Sequence, residues 1–131
     1  MLNRSELREK IMTILYQINL FKNSEVKYDI DEIIKENLEI ENEFVKDIVY
    51  GVTTYYDDLC ALANKHLVDW TIDRLDSTGR TILLMGLYEL IYTETPDIVV
   101  INEAIELAKK YSDDNVRKMI NAILDKIIKE K

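Results

Sequence analysis

Cys60 and His66 are the only cysteine and the only histidine in this 131-residue chain, and so its first candidates for metal or nucleophilic chemistry. They stand six positions apart, which matches no recognised zinc-ligand spacing. A lone cysteine inside a helical pattern reads as a small buried hydrophobe, and it has no partner for an internal disulfide. Acid–base chemistry would need a poised pair of carboxylates, and Asp57–Asp58 and Asp113–Asp114 are the obvious pairs. Both sit at solvent-facing or helix-starting positions, where solvation or capping is the expected role. Three scattered glycines cannot build a G-x-G-x-x-G turn or a P-loop. Neither catalysis, nor a metal, nor a cofactor is expected.

Side chains that bind rather than react remain. Eight tyrosines are present, mostly at positions suited to core or interface. Tyr16 and Tyr111 differ because basic residues stand close to them, which would allow stacking on a base. In "YSDDNVRKMIN", Arg117 and Asn121 are i,i+4 neighbours, and Lys118 and Asn121 are i,i+3, so all three share a helix surface. The formal charge is −8, but it is unevenly spread. Residues 1–22 carry +2, 23–60 carry −8, 61–110 carry −3 and 111–131 carry +1. The whole surface is therefore wrong for non-specific nucleic-acid binding. The two chain ends can form a local basic patch, or they can be ordinary solvated helix faces.

The elements that must position these residues are helices. One proline and three glycines leave long runs without a breaker, and 47% of residues are hydrophobic. The length and composition fit one globular domain. Apolar spacing predicts helices over Asn3–Phe21, Asp29–Asn37, Glu41–Asn64, Asp69–Leu75, Thr78–Thr93, Val99–Tyr111 and Asp114–Lys129. In the first, Leu7, Ile11, Ile14, Leu15 and Ile18 make the stripe, and Arg8, Met12 and Tyr16 climb one flank. The third is a single long helix whose seam runs through Phe44, Ile48, Val52, Tyr55, Leu59 and Leu62. Gly51 within it points to a close helix approach. Ser77 is the expected N-cap of the fifth helix, which is apolar around most of its circumference and so central. Asp113 or Asp114 caps the last. "TETPD" is a loop, and "DIVVI" at Asp97–Ile101 is too isolated a β-branched run to form a sheet. The class is all-α: about seven helices in two small bundles, at about residues 1–64 and 65–131 of one domain. No apolar run is long enough to span a bilayer, and "MLNRSELREK" lacks a signal core, so a cytoplasmic location is expected.

Three stretches together resemble the NusB family of bacterial antitermination factors: "ILYQINL" at Ile14–Leu20, "DWTIDRLDSTGRTILLMGLYEL" at Asp69–Leu90, and "VVINEAIELAKKYSDDNVRKMINAILDKI" at Val99–Ile127. The resemblance spans nearly the whole chain, and the third stretch is the most specific. It implies a NusB-like all-helical fold and a role without catalysis. It also implies pairing with the ribosomal protein NusE. The pair would bind boxA RNA of ribosomal RNA leaders and join an antitermination complex on RNA polymerase. By the same resemblance, Arg4 and Arg8 match the arginine-rich N-terminal helix, and Tyr16 the L-Y position. Tyr111 takes the aromatic place after N-E-A-I-E-L-A-K. Lys118 and Asn121 match K-x-x-N, with Arg117 beside them. All seven are expected RNA contacts, facing one another across the fold, whereas Asn102 and Glu103 are expected to be structural.

The departures qualify this expectation. Glu6 and Glu9 interrupt the N-terminal basic motif, so the chain alone should bind RNA weakly. Leu84 and Gly79 replace an arginine and an acid common in relatives, in a stretch expected near the partner surface. Asn115 replaces an acid and should reduce repulsion of RNA, and Ala122 replaces a glycine and suggests looser packing. Two alternatives stand beside this reading. One is a helical adaptor or homodimer with little RNA affinity. The other is the N-terminal domain of a ribosomal RNA cytosine methyltransferase, whose glycine-rich turn and catalytic cysteine these residues do not include.

Overall fold

The computed structural model describes residues 1–68 and 71–131. Among them lie seven α-helices, one 3-10 turn and no strand. The helices are α1 (Arg4–Asn23), α2 (Ile30–Asn37), α3 (Glu43–Thr54), α4 (Tyr56–His66), α5 (Ser77–Tyr92), α6 (Asp97–Tyr111) and α7 (Asp114–Glu130). The chain forms two compact units, Met1–Tyr50 and Gly51–Lys131, with the boundary inside α3.

Local chemistry sets where most helices begin. A helix start leaves backbone N–H groups without partners, and short polar side chains accept from them. Asn3 and Glu6 form a reciprocal capping box at α1, with bonds of 2.8 and 3.0 Å. Asp29 caps α2, Asn42 accepts from the Val45 N–H at α3, and Asp113 accepts from the Val116 N–H at α7. At α5 the cap is Asp76, one residue before the expected Ser77, because its carboxylate accepts from the Gly79 N–H at 3.1 Å. Ser77 is already helical, and its carbonyl accepts from the Thr81 hydroxyl at 2.8 Å. α1 closes at Ser24 and Glu25, and Glu25 takes φ 57°, a left-handed turn usually left to glycine.

Two elements differ from the sequence expectation. The long helix over Glu41–Asn64 is two helices, broken at Tyr55, whose φ of −100° and ψ of 20° leave the helical region. The run Val52-Thr53-Thr54-Tyr55 follows Gly51, and glycine, β-branched and aromatic residues all weaken a helix interior. Between residues 69 and 75, a 3-10 turn at Ile72–Arg74 replaces the expected short helix; Asp69 and Trp70 lie outside the described residues. Asn64 accepts from the Ile72 N–H at 2.7 Å and fixes that turn, with Ile72 buried. "DIVVI" is helical, opening α6 directly after Pro96. Burial of Val100, Ala104, Leu107 and Ala108 along one face outweighs β propensity there.

In the smaller unit α1 packs on α2, joined by the Asn37 amide donating to Gln17 at 2.9 Å. In the larger unit α5 packs against α4, α6 and α7, and every residue from Thr81 to Leu90 is buried. Gly51 permits the close approach expected of it: a Cβ there would lie 2.1 Å from the Tyr88 ring. At Gly86 the nearest atom to an added Cβ would be a Leu124 methyl at 3.1 Å, which needs only a small shift. Gly51→Ala is expected to cost about 1–3 kcal/mol through overpacking. Gly86→Ala should cost less, because its Cβ needs only a small shift of Leu124, which the helix-propensity gain common to both sites can offset. Urea unfolding of the two variants measures the order, and an equal midpoint for both would contradict it.

Candidate nucleic-acid interface

In the smaller unit the three expected contact residues lie on α1 but differ in exposure. Arg4, the first helical residue, is exposed, and its guanidinium carbon sits 3.9 Å from the centroid of the Phe44 ring. Arg8, one turn on, is only 3% exposed, with its guanidinium carbon 5.1 Å from the same ring. Met12 is buried as well, whereas Tyr16 is 39% exposed. The flank climbed by Arg8, Met12 and Tyr16 is therefore interior for its first two positions and surface only at its third. Arg4 and Tyr16 are exposed, and Arg8 is buried beside Phe44.

In the larger unit the four expected residues gather around the α6–α7 junction. Tyr111 ends α6 at 42% exposure, with the Lys110 ammonium 5.4 Å from its ring centroid. At the start of α7, Asp114 Oδ1 accepts from Arg117 Nε at 2.9 Å and from Arg117 Nη2 at 2.6 Å. Its Oδ2 lies 3.6 Å from Lys118 Nζ. The hydrogen bond from Arg117, and then its charge, hold the Asp114 carboxyl below its ordinary range, with Lys118 adding to the effect. Lys118 and Asn121 are exposed, and Arg117 is half-buried. Both cations thus already have an internal anionic partner.

The junction is fixed from beneath. Asp76 Oδ1 accepts the Gly79 N–H and also the Ser112 hydroxyl at 3.4 Å, which ties the start of α5 to the loop before α7. A Cβ on Gly79 would lie 2.5 Å from Asp76 Oδ1 and 2.6 Å from Val116 Cγ1, so glycine is what allows this approach. Gly79 and Leu84 are both buried, so neither offers a side chain to a partner surface. Ala122 is exposed, so the residue there does not govern helix packing. Asn102 is exposed, Glu103 is half-buried, and Asn115 is exposed at the junction.

Burial pushes the Cys60 thiol up, away from a reactive thiolate. His66 Nε2 is buried 3.4 Å from a Glu130 carboxylate oxygen, yet it lacks the alignment of a hydrogen bond. Among the described residues, no group of His, Cys, Asp and Glu could hold a metal ion. No described helix is long and apolar enough to cross a membrane. A depression of about 510 Å³ in the smaller unit is lined by Asp31, Glu39 and Glu41 with Lys35 and Lys46 over Ile34 and Leu38. Its carboxylates give it the wrong sign for a phosphate backbone. The Tyr50 hydroxyl donates to Asp31 at its edge, which with burial pushes the phenol up to about 12.

The sequence profile of the NusB family matches residues 5–129. The chain belongs to the NusB family. It is 41% identical over 131 residues to the transcription antitermination protein NusB of Pediococcus pentosaceus, an alignment covering 98% of each chain. The corresponding protein of an Exiguobacterium species is 40% identical over 132 residues, covering 98% of this chain and 99% of its own. Among solved structures, T. maritima NusB superposes with a TM-score of 0.84 at 30% identity, over 98% of this chain and 92% of that one. A chain from the crystal structure of the antitermination factors NusB and NusE with double-stranded RNA gives a TM-score of 0.81 at 28% identity. That match covers 98% of this chain and 97% of the other. The NusB-like all-helical fold expected from sequence is the fold of this chain.

Sequence reasoning missed three residues that organise the candidate interface. Phe44 reads as one more apolar position of a packing seam. Asp76 is one step from the expected cap. Asp114 could have been found, since its i,i+3 and i,i+4 spacing to Arg117 and Lys118 is a recognisable ion-pair pattern. The lowered Asp114 carboxyl gives a signed expectation: its contribution to stability is present above the ordinary carboxylate range and fades as pH falls through its lower folded value. An NMR titration should place the Asp114 midpoint below that of an ordinary aspartate, and Arg117→Ala should move it back up.

Proposed function

We propose that this chain is a transcription antitermination factor that pairs with NusE and binds boxA-type RNA of ribosomal RNA leaders, serving a complex on RNA polymerase. The observation carrying this reading is the fold match to NusB in the NusB–NusE–RNA crystal structure over 98% of the chain. Full-length identity of about 40% to antitermination proteins supports it. Its work is binding, without catalysis, in the cytoplasm. The RNA contacts are Arg4 and Tyr16 in the smaller unit and Tyr111, Lys118 and Asn121 in the larger one. Arg117 contributes charge when a phosphate displaces Asp114, and Arg8 acts from beneath the surface.

A second reading, a helical adaptor with little RNA affinity, draws on the buried Arg8 and the internal pairing of Arg117 and Lys118. A titration separates the two. Labelled boxA-type RNA is titrated with the chain, with and without NusE, at several salt concentrations. The first reading expects sequence-selective binding that is weak alone and strengthened by NusE. Arg4→Ala should weaken it and flatten the slope of log affinity against log salt by about 0.7, the value of one phosphate contact on a single strand. Absence of binding with NusE present would favour the adaptor.

A further inference from the structure

We infer that Phe44 is a positioning residue for nucleic-acid binding: its ring holds the Arg4 guanidinium at the surface. This rests on the RNA-binding reading of α1 given above.

Three features of the smaller unit carry the inference. The first is the position of Arg4. It opens α1, at the positive end of the helix dipole, where a cation is disfavoured. Helix stability therefore does not explain an arginine there. The second is its contact with Phe44. The Arg4 guanidinium carbon lies 3.9 Å from the Phe44 ring centroid, in the range where the electron-rich face of a ring attracts a cation. Arg8 lies 5.1 Å from the same ring and is 3% exposed, so it is packed in place and adds a second cation to the cluster. The third is rigidity on both sides. The Asn3–Glu6 capping box fixes the turn that bears Arg4, and Asn42 caps the turn of α3 that bears Phe44.

The consequence for binding follows from the geometry of a guanidinium. Its N–H bonds lie in its own plane, so contact through its face leaves donors at the edge for a phosphate. A free arginine side chain loses rotamer entropy when a ligand fixes it. An arginine already resting on Phe44 has lost part of that before the RNA arrives, which raises affinity without adding a contact. Arg8, buried beside the same ring, offers RNA no comparable surface, so of the two arginines one turn apart only Arg4 is presented.

The test uses the full chain with NusE and a boxA-type RNA, comparing Phe44→Leu, Phe44→Tyr, Arg4→Ala and the Phe44→Leu/Arg4→Ala pair. Phe44→Leu is expected to weaken RNA affinity by about threefold to tenfold. Phe44→Tyr, which keeps an aromatic face, should restore it. In the Arg4→Ala background, Phe44→Leu should cause no further loss, since the ring acts through that arginine. A series of increasingly fluorinated phenylalanines at position 44 alone keeps the shape and drains the ring face of charge; affinity should fall stepwise along it. This series stands even where Phe44→Leu fails to fold. The inference is overturned if Arg4→Ala weakens binding while the fluorinated series does not, or if the loss from Phe44→Leu persists in full without Arg4; the RNA-binding reading survives both results. If Arg4→Ala leaves RNA affinity unchanged, both the inference and the placement of RNA on α1 fall.

Discussion

From Thr81 to Leu90 every residue of α5 is buried, so this helix needs neighbours on all sides. α4, α6 and α7 supply them. A buried helix also limits what its own polar residues can do. Glu89, 2% exposed, lies within 3.4 Å of the Thr95 hydroxyl, and its backbone carbonyl accepts from Thr93, so the turn into α6 is fixed by the helix before it. At the other end, Asp76 and Gly79 bring the start of α5 against the loop that precedes α7. The junction bearing Tyr111, Arg117 and Lys118 is thus held by the packing of a helix whose middle ten residues are all buried.

Much of this was legible in the sequence because helical faces are periodic. α5 shows no polar side, and a helix without a polar side must be central. The apolar stripes of α1, α2 and α7 predicted their faces for the same reason. Periodicity does not register a single residue that leaves the helical region. The seam through Phe44, Ile48, Val52, Tyr55, Leu59 and Leu62 keeps its spacing across Tyr55, although the backbone breaks there. Caps are uncertain by one residue when two polar candidates adjoin, and only the hydrogen bond from Gly79 decides for Asp76 over Ser77.

The candidate site was legible in its residue types and less so in their surroundings. Tyr16, Tyr111 and Lys118 are at the surface, as a binding role requires. Arg8 is not: it is 3% exposed, with an aromatic ring from α3 beside it. An arginine's long stem and delocalised charge let it be covered in this way, and exposure cannot be read from its charge. The sequence resemblance pointed to α1, and on that helix the structure leaves Arg4 and Tyr16 exposed and Arg8 buried.

The Asp114 carboxylate has a consequence for how this surface responds to a polyanion. A free lysine or arginine carries condensed solution anions or none, and its pairing with phosphate chiefly releases cations from the nucleic acid. Arg117 and Lys118 instead carry an anion that belongs to the chain. When a phosphate takes its place, Asp114 is left bare and attracts a cation back from solution. Such an exchange would return part of what the nucleic acid gave up, as in a small ion exchanger. A phosphate bound here would have to compete with Asp114, so its contact would depend less on ionic strength than a count of basic residues suggests and would favour an anion that meets the guanidinium better than a carboxylate one turn away.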